Sequence, residues 1–178
     1  MSNMPYLGES TDLVLGQEFL TWLWFRSDNA AAFPSPDNGA EFTISMEQRV
    51  VVQGGEGDSR ETASVSGALS ELREAKLGLA TGKKVTRALV RFTREPETWQ
   101  VTLKAENFSF TSLKTPSLAK DDFQDDDPDA AFFEKIHLIE TCLAFFDALY
   151  KEFLNVRLSP AWEKETGKIR EWATRELP

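Results

Sequence analysis

Cysteine and histidine are almost missing from this chain, which holds one of each, Cys142 and His137, in 178 residues. A single cysteine excludes an internal disulfide, and one histidine beside one cysteine argues against a zinc site or a Cys-His dyad. Cys142 sits among Ile139, Leu143 and Phe146 with no base within a turn, so it reads as a small buried hydrophobe. Long apolar runs are missing too. None approaches the roughly 20 residues of a membrane span, and MSNMPYLGES lacks the basic and apolar regions of a signal peptide, which predicts a cytoplasmic protein with no membrane partner. Positive charge is scarce. Lys and Arg number 20 against 29 Asp and Glu, a net charge of -9 that on average repels nucleic acid and anionic membrane. Any nucleic-acid contact must therefore come from a local basic face.

What is present suits one domain with a proper core: 41% of residues are hydrophobic and 28% charged. Residues 1–11 read as a flexible leader and 12–178 as a single α+β domain. The segment LGQEFLTWLWFRSD places Leu15, Phe19, Trp22 and Leu23 on one helical face, while Trp24 lies about 200° round the helix from Trp22. A helix apolar on two sides must be buried between layers. Phe19, Trp22 and Leu23 are expected on the sheet, and Leu20 and Trp24 at an interface with the long C-terminal helix or a second subunit.

Alternating Phe42, Ile44 and Met46, then Val50 to Val52, predict two short strands or one bent strand, and ETASV predicts another. SGALSELREAKLGLATG reads as a helix ending at Gly82. KKVTRALVRFTR, WQVTLKA and NFSFTSL follow as an antiparallel meander. A long apolar helix is expected from about Ala130 to Arg157, with Pro128 at a first helical position and Asp127 as N-cap, and a last helix from about 160 to 175 carries Trp162, Ile169 and Trp172. The meander should pack against the aromatic helix and the two C-terminal helices.

Three motifs fail on their chemistry. GLATGKK has three residues between its glycines, lacks the Ser/Thr after lysine and leads into a strand, so it is no phosphate loop. Asp125, Asp127 and Asp129 have calcium-loop spacing, but Ala130 and Ile136 stand where glycine and a bidentate glutamate are needed. Asp37 with Glu47 and Arg49 loosely imitates the carboxylate pair of a Mg²⁺-dependent nuclease, a short match of a kind that arises by chance. No catalytic residue, metal or cofactor is assigned.

Strand alternation puts Lys83, Arg87 and Arg91 on one face, and hairpin pairing adds Lys104. A flat row of cations neutralises phosphate charge without entering a groove to read bases. The bland alternative is a solvated face salt-bridged to carboxylates such as Glu71 and Glu74.

Together, LGQEFLTWLWFRSD, LATGKKVTRALVRFTREPETWQVTLKAENFSFTSLKTP, the acidic spacer and the helix ending FLNVRLSPAW resemble the C-terminal part of the recombination-associated RdgC family. The resemblance covers Leu15 to Trp172 and is most specific at GKKVTRALV. It implies a cytoplasmic, nucleoid-associated homodimer that rings double-stranded DNA with little sequence preference and restrains the RecA recombinase. Full-length members carry a long N-terminal half with no counterpart in these residues. Lys83, Lys84, Arg87 and Arg91 carry over as phosphate-contact candidates. The expected function is a non-enzymatic, sequence-independent DNA-binding accessory of recombination. A protein-interaction module without DNA binding, or a Mg²⁺-dependent exonuclease, are the alternatives.

Overall fold

The computed structural model describes residues 9–29, 32–37, 39–54, 61–66, 79, 84–117 and 128–175. Among the described residues three long helices, α1 (Glu9–Asp28), α2 (Pro128–Arg157) and α3 (Ala161–Thr174), accompany six strands: β1 (Ala32–Phe33), β2 (Phe42–Gly54), β3 (Glu61–Ser66), β4 (Lys84–Arg94), β5 (Glu97–Lys104) and β6 (Phe110–Lys114). The expected α+β class with an antiparallel meander is what forms. Helix α1 starts within the stretch read as a leader. The helix predicted before Gly82 and the acidic spacer lie outside the described residues, apart from Leu79, which packs against the core. Among the described residues no helix is long and apolar enough to cross a membrane.

The sheet runs β1-β2-β4-β5-β6, every pair antiparallel, and β3 pairs β2 beyond β1 along the same edge. β3 and β4 therefore flank β2 on opposite sides and run parallel to each other, so the chain crosses the sheet between them. β2 is the one bent strand rather than two short ones. Its pairing with β4 slips between Met46 and Val50 and again between Val51 and Val52, and such irregularities bend a strand and raise its twist.

Alternation places Phe42 and Ile44 of β2, Ala88, Val90 and Phe92 of β4, and Trp99, Val101 and Leu103 of β5 on one buried face. All three helices cover that face. Phe145 of α2 stacks on Phe42 at 4.2 Å and meets Trp99 edge-on at 5.2 Å. Trp99 Nε1 donates to the Leu138 carbonyl at 2.9 Å, so the largest residue of β5 is satisfied as it is buried.

Helix α1 is enclosed from every side. Phe19, Leu20, Trp22, Leu23, Trp24 and Phe25 are all buried. The polar residue among them, Thr21, donates its hydroxyl to the Gln17 carbonyl at 2.8 Å and accepts the Val85 N–H at 3.3 Å. Phe19 meets Phe146, Tyr150 and Phe153 of α2, and Trp22 meets Phe153. Gly16 lies against Ala105 at the end of β5, and Leu20 and Trp24 follow it at helical spacing. The Phe19/Trp22 side of α1, expected on the sheet, packs on α2. Leu20 and Trp24 are 1% exposed and covered from within the chain, Trp24 by Trp172 of α3 at 5.3 Å rather than by α2 or a second subunit. An aromatic helix can be buried all round by its own chain because α3 folds back over it.

Ion pairs at the rim fix α1 and α2 antiparallel: Arg157 to Glu18 at 2.5 Å and Arg26 to Glu152 at 3.2 Å. Trp172 Nε1 donates to Asp28 Oδ2 at 3.0 Å and ties α3 to the end of α1. Cys142 is buried as expected, and burial pushes its thiol up to about 12, which removes the thiolate needed for reactivity.

Gly16 gives a test with opposite signs. A Cβ there would lie 2.8 Å from the Ala105 carbonyl carbon, which is backbone and cannot swing away. Alanine gains roughly 1 kcal/mol of helix propensity over glycine, whereas overpacking costs roughly 1–3 kcal/mol or more. Gly16→Ala is expected to lower the denaturant midpoint; a raised midpoint would show that α1 does not rest on Ala105.

Candidate nucleic-acid interface

The face of the sheet turned away from the helices is built by the same alternation. Its described positions include Arg87, Leu89 and Arg91 of β4, Gln100, Thr102 and Lys104 of β5, and Thr111 and Lys114 of β6. No carboxylate stands among the outward positions of these three strands in their paired stretches. Arg87 is directly opposite Lys104, and Arg91 is directly opposite Gln100, which in turn faces Lys114. Arg91 lies four residue steps along the strand from Arg87, so the two cationic rows are about 13 Å apart.

Like charges directly opposite on neighbouring strands destabilise a sheet. Arg87 and Lys104 form no ion pair with another described residue. Glu71 and Glu74, the carboxylates weighed from sequence as partners of this face, lie outside the described residues. What the arrangement can do chemically is present fixed positive charge to an extended polyanion.

Of the predicted contact residues, Arg87, Arg91 and Lys104 come together on this face, and Lys83 lies outside the described residues. Lys84 does not join them. One extra β4 residue, Thr86, stands between the partners of Val51 and Val52, and its carbonyl is taken by the Ala105 N–H at 2.8 Å. The bulge turns the start of β4, so Val85, expected on the polar face, is fully buried with its N–H bonded to α1. Lys84 instead lines a cleft beside α1 and α3. Lys114 was missed for a related reason. Strict alternation from Phe110 turns Lys114 inward, but Ser112 has a positive φ of 55° and the β5–β6 register shifts there, which turns it outward.

The carboxylates of the nuclease reading have other occupations or no described geometry. Asp37 Oδ1 accepts from the Ser35 hydroxyl at 2.5 Å and from the Gly39 N–H at 3.1 Å, and Oδ2 accepts from Arg94 at 2.7 Å. These bonds, Ser35 first and then Arg94 and Gly39, hold its pKa down to about 2. Arg94 also bonds Glu97 at 3.1 Å and lies over the rings of Trp99 and Phe145. Burial opposes its charge, but the hydrogen bonds to Asp37 and Glu97 outweigh that cost and raise its pKa. Asp37 is thus a clamp on Arg94. Glu47 and Arg49 lie in β2 where its pairing with β4 slips. Among the described residues no group of three or more His, Cys, Asp or Glu is placed to hold a metal ion.

No protein-family model matches the chain, and no curated protein or solved structure matches it either.

The Asp37–Arg94 clamp predicts a pH dependence. The folded pKa lies below the ordinary carboxylate value, so its stabilisation is fully present above about pH 4 and is lost as pH falls toward about 2. Asp37→Asn should therefore be less stable than the parent at neutral pH, with the gap closing through that window. Denaturant titrations at stepped pH check it, and a gap constant down to about pH 2 would refute the clamp.

Proposed function

We propose that this protein binds the phosphate backbone of double-stranded DNA without sequence preference, through the face of β4, β5 and β6 turned away from α1, α2 and α3, as a non-enzymatic accessory of recombination. The observation that carries the reading is the row pairing of Arg87 with Lys104 and of Arg91 with Gln100 and Lys114 on a face without outward carboxylates in those strands, in a chain of net charge -9. The outward residues of these strands include no aromatic ring, which removes the stacking platform that single-strand binders use. A flat face that contacts phosphates and leaves the grooves unread gives affinity without sequence preference. Resemblance to the RdgC family supplies the biological setting, a nucleoid-associated homodimer that modulates the RecA recombinase.

A second reading, a protein-interaction module without DNA binding, draws on α2. Phe132 and Phe133 are 61% and 65% exposed near its start, and Leu143 is 44% exposed three turns on.

Anisotropy of a labelled duplex titrated at several salt concentrations separates the two. Four phosphate contacts predict a slope of log K against log salt of about -3 to -4. Arg87→Glu/Arg91→Glu is expected to abolish binding, and Lys114→Gln to make the slope shallower by about 1. No binding at low salt would remove the DNA reading and leave the interaction module.

A further inference from the structure

Lys84, at the start of β4 beyond the bulge at Thr86, lines a cleft of about 230 Å³ between α1, α3 and the start of β4. Its apolar lining comes from Trp162 and Ile169, both half-buried against the core. The Trp162 ring is held edge-on to Phe153 at 5.7 Å, with the Arg157 guanidinium over it at 5.5 Å. Such a ring is a fixed wall rather than a mobile surface side chain.

Besides Arg157, two cations line this cleft, Lys84 from β4 and Arg170 from α3. Neither forms an ion pair with a described residue. The acid in the lining, Glu18, is bonded to Arg157 at 2.5 Å and forms no ion pair with either cation. The Thr166 hydroxyl donates to the Glu163 carbonyl at 2.8 Å and keeps only acceptor capacity. The donors available to a guest are therefore the two cations, and its remaining contacts are apolar.

We infer that this cleft is a binding site for a compact amphipathic anion, with a ring or short alkyl body against Trp162 and Ile169 and one carboxylate or phosphate-monoester head between Lys84 and Arg170. Its volume equals the liquid share of about eight water molecules and is below the usual range of drug-sized sites. That suits a body no larger than one six-membered ring. The site is on the helix side of the sheet and is independent of the DNA reading.

The five tryptophans give five indole N–H resonances, and Trp162→Phe identifies the one that reports on the cleft. Phenylacetate and phenyl phosphate share a body and differ in head; benzyl alcohol lacks the charge, and inorganic phosphate lacks the body. Saturable movement of the Trp162 resonance with one or both aromatic anions is expected, with clearly weaker response to benzyl alcohol and to inorganic phosphate. The double variant Lys84→Met/Arg170→Met, whose other four indole resonances check its fold, should weaken binding by roughly tenfold or more, as loss of charged hydrogen bonds does. The response to phenylacetate relative to phenyl phosphate tells which head the cations prefer. An unmoved Trp162 resonance with both aromatic anions, equal binding of benzyl alcohol, or unchanged affinity in the double variant would overturn the assignment.

Discussion

Everything in this fold depends on covering α1. A helix with six buried hydrophobic residues between Phe19 and Phe25 cannot lie on a sheet with one side in water. At about 25 cal/mol per Å² of apolar surface, leaving two tryptophans and two phenylalanines half-wet would cost several kcal/mol, comparable with the whole stability of a small domain. The chain meets this with three surfaces. The sheet takes the Gly16 side, α2 takes Phe19 and Trp22, and α3 returns to take Trp24 and Phe25. The long α2 and the sharp turn into α3 are consequences of that demand.

The periodic elements were legible in the sequence because one face of each is simply apolar. α2 runs from Pro128 to Arg157, with its expected N-cap Asp127 outside the described residues, and the alternation of β4 and β5 from Ala88 to Leu103 holds through the paired stretch. The partners of α1 were not legible. Both of its sides are apolar, so periodicity ranks neither, and the close approach of Gly16 to the Ala105 backbone decides the matter through one missing methyl group. No local pattern announces that contact.

The candidate site was readable where strands are regular and unreadable where they slip. Arg87, Arg91 and Lys104 follow the pleat. Val85 and Lys114 each lie just past a register shift, and one extra residue moves a side chain to the other face. Arg94 shows the converse. Two residues beyond Phe92 it keeps the inward phase, and a half-buried guanidinium then needs the Asp37 and Glu97 carboxylates and two aromatic rings around it. Arg170, on a different element from Lys84, has no sequence signal tying it to a cleft.

The irregularity at Ser112 has a consequence for solubility. β6 ends the strand order of the described sheet, and a straight terminal strand is a template onto which another chain can add. Here that strand is five residues long, carries a left-handed residue in its middle and ends in lysine. Its backbone groups cannot present a continuous ladder to a neighbour. The edge is blunted against open-ended strand addition, so association between copies of this chain would have to use side-chain surfaces, such as the exposed aromatic start of α2, in preference to this edge of the sheet.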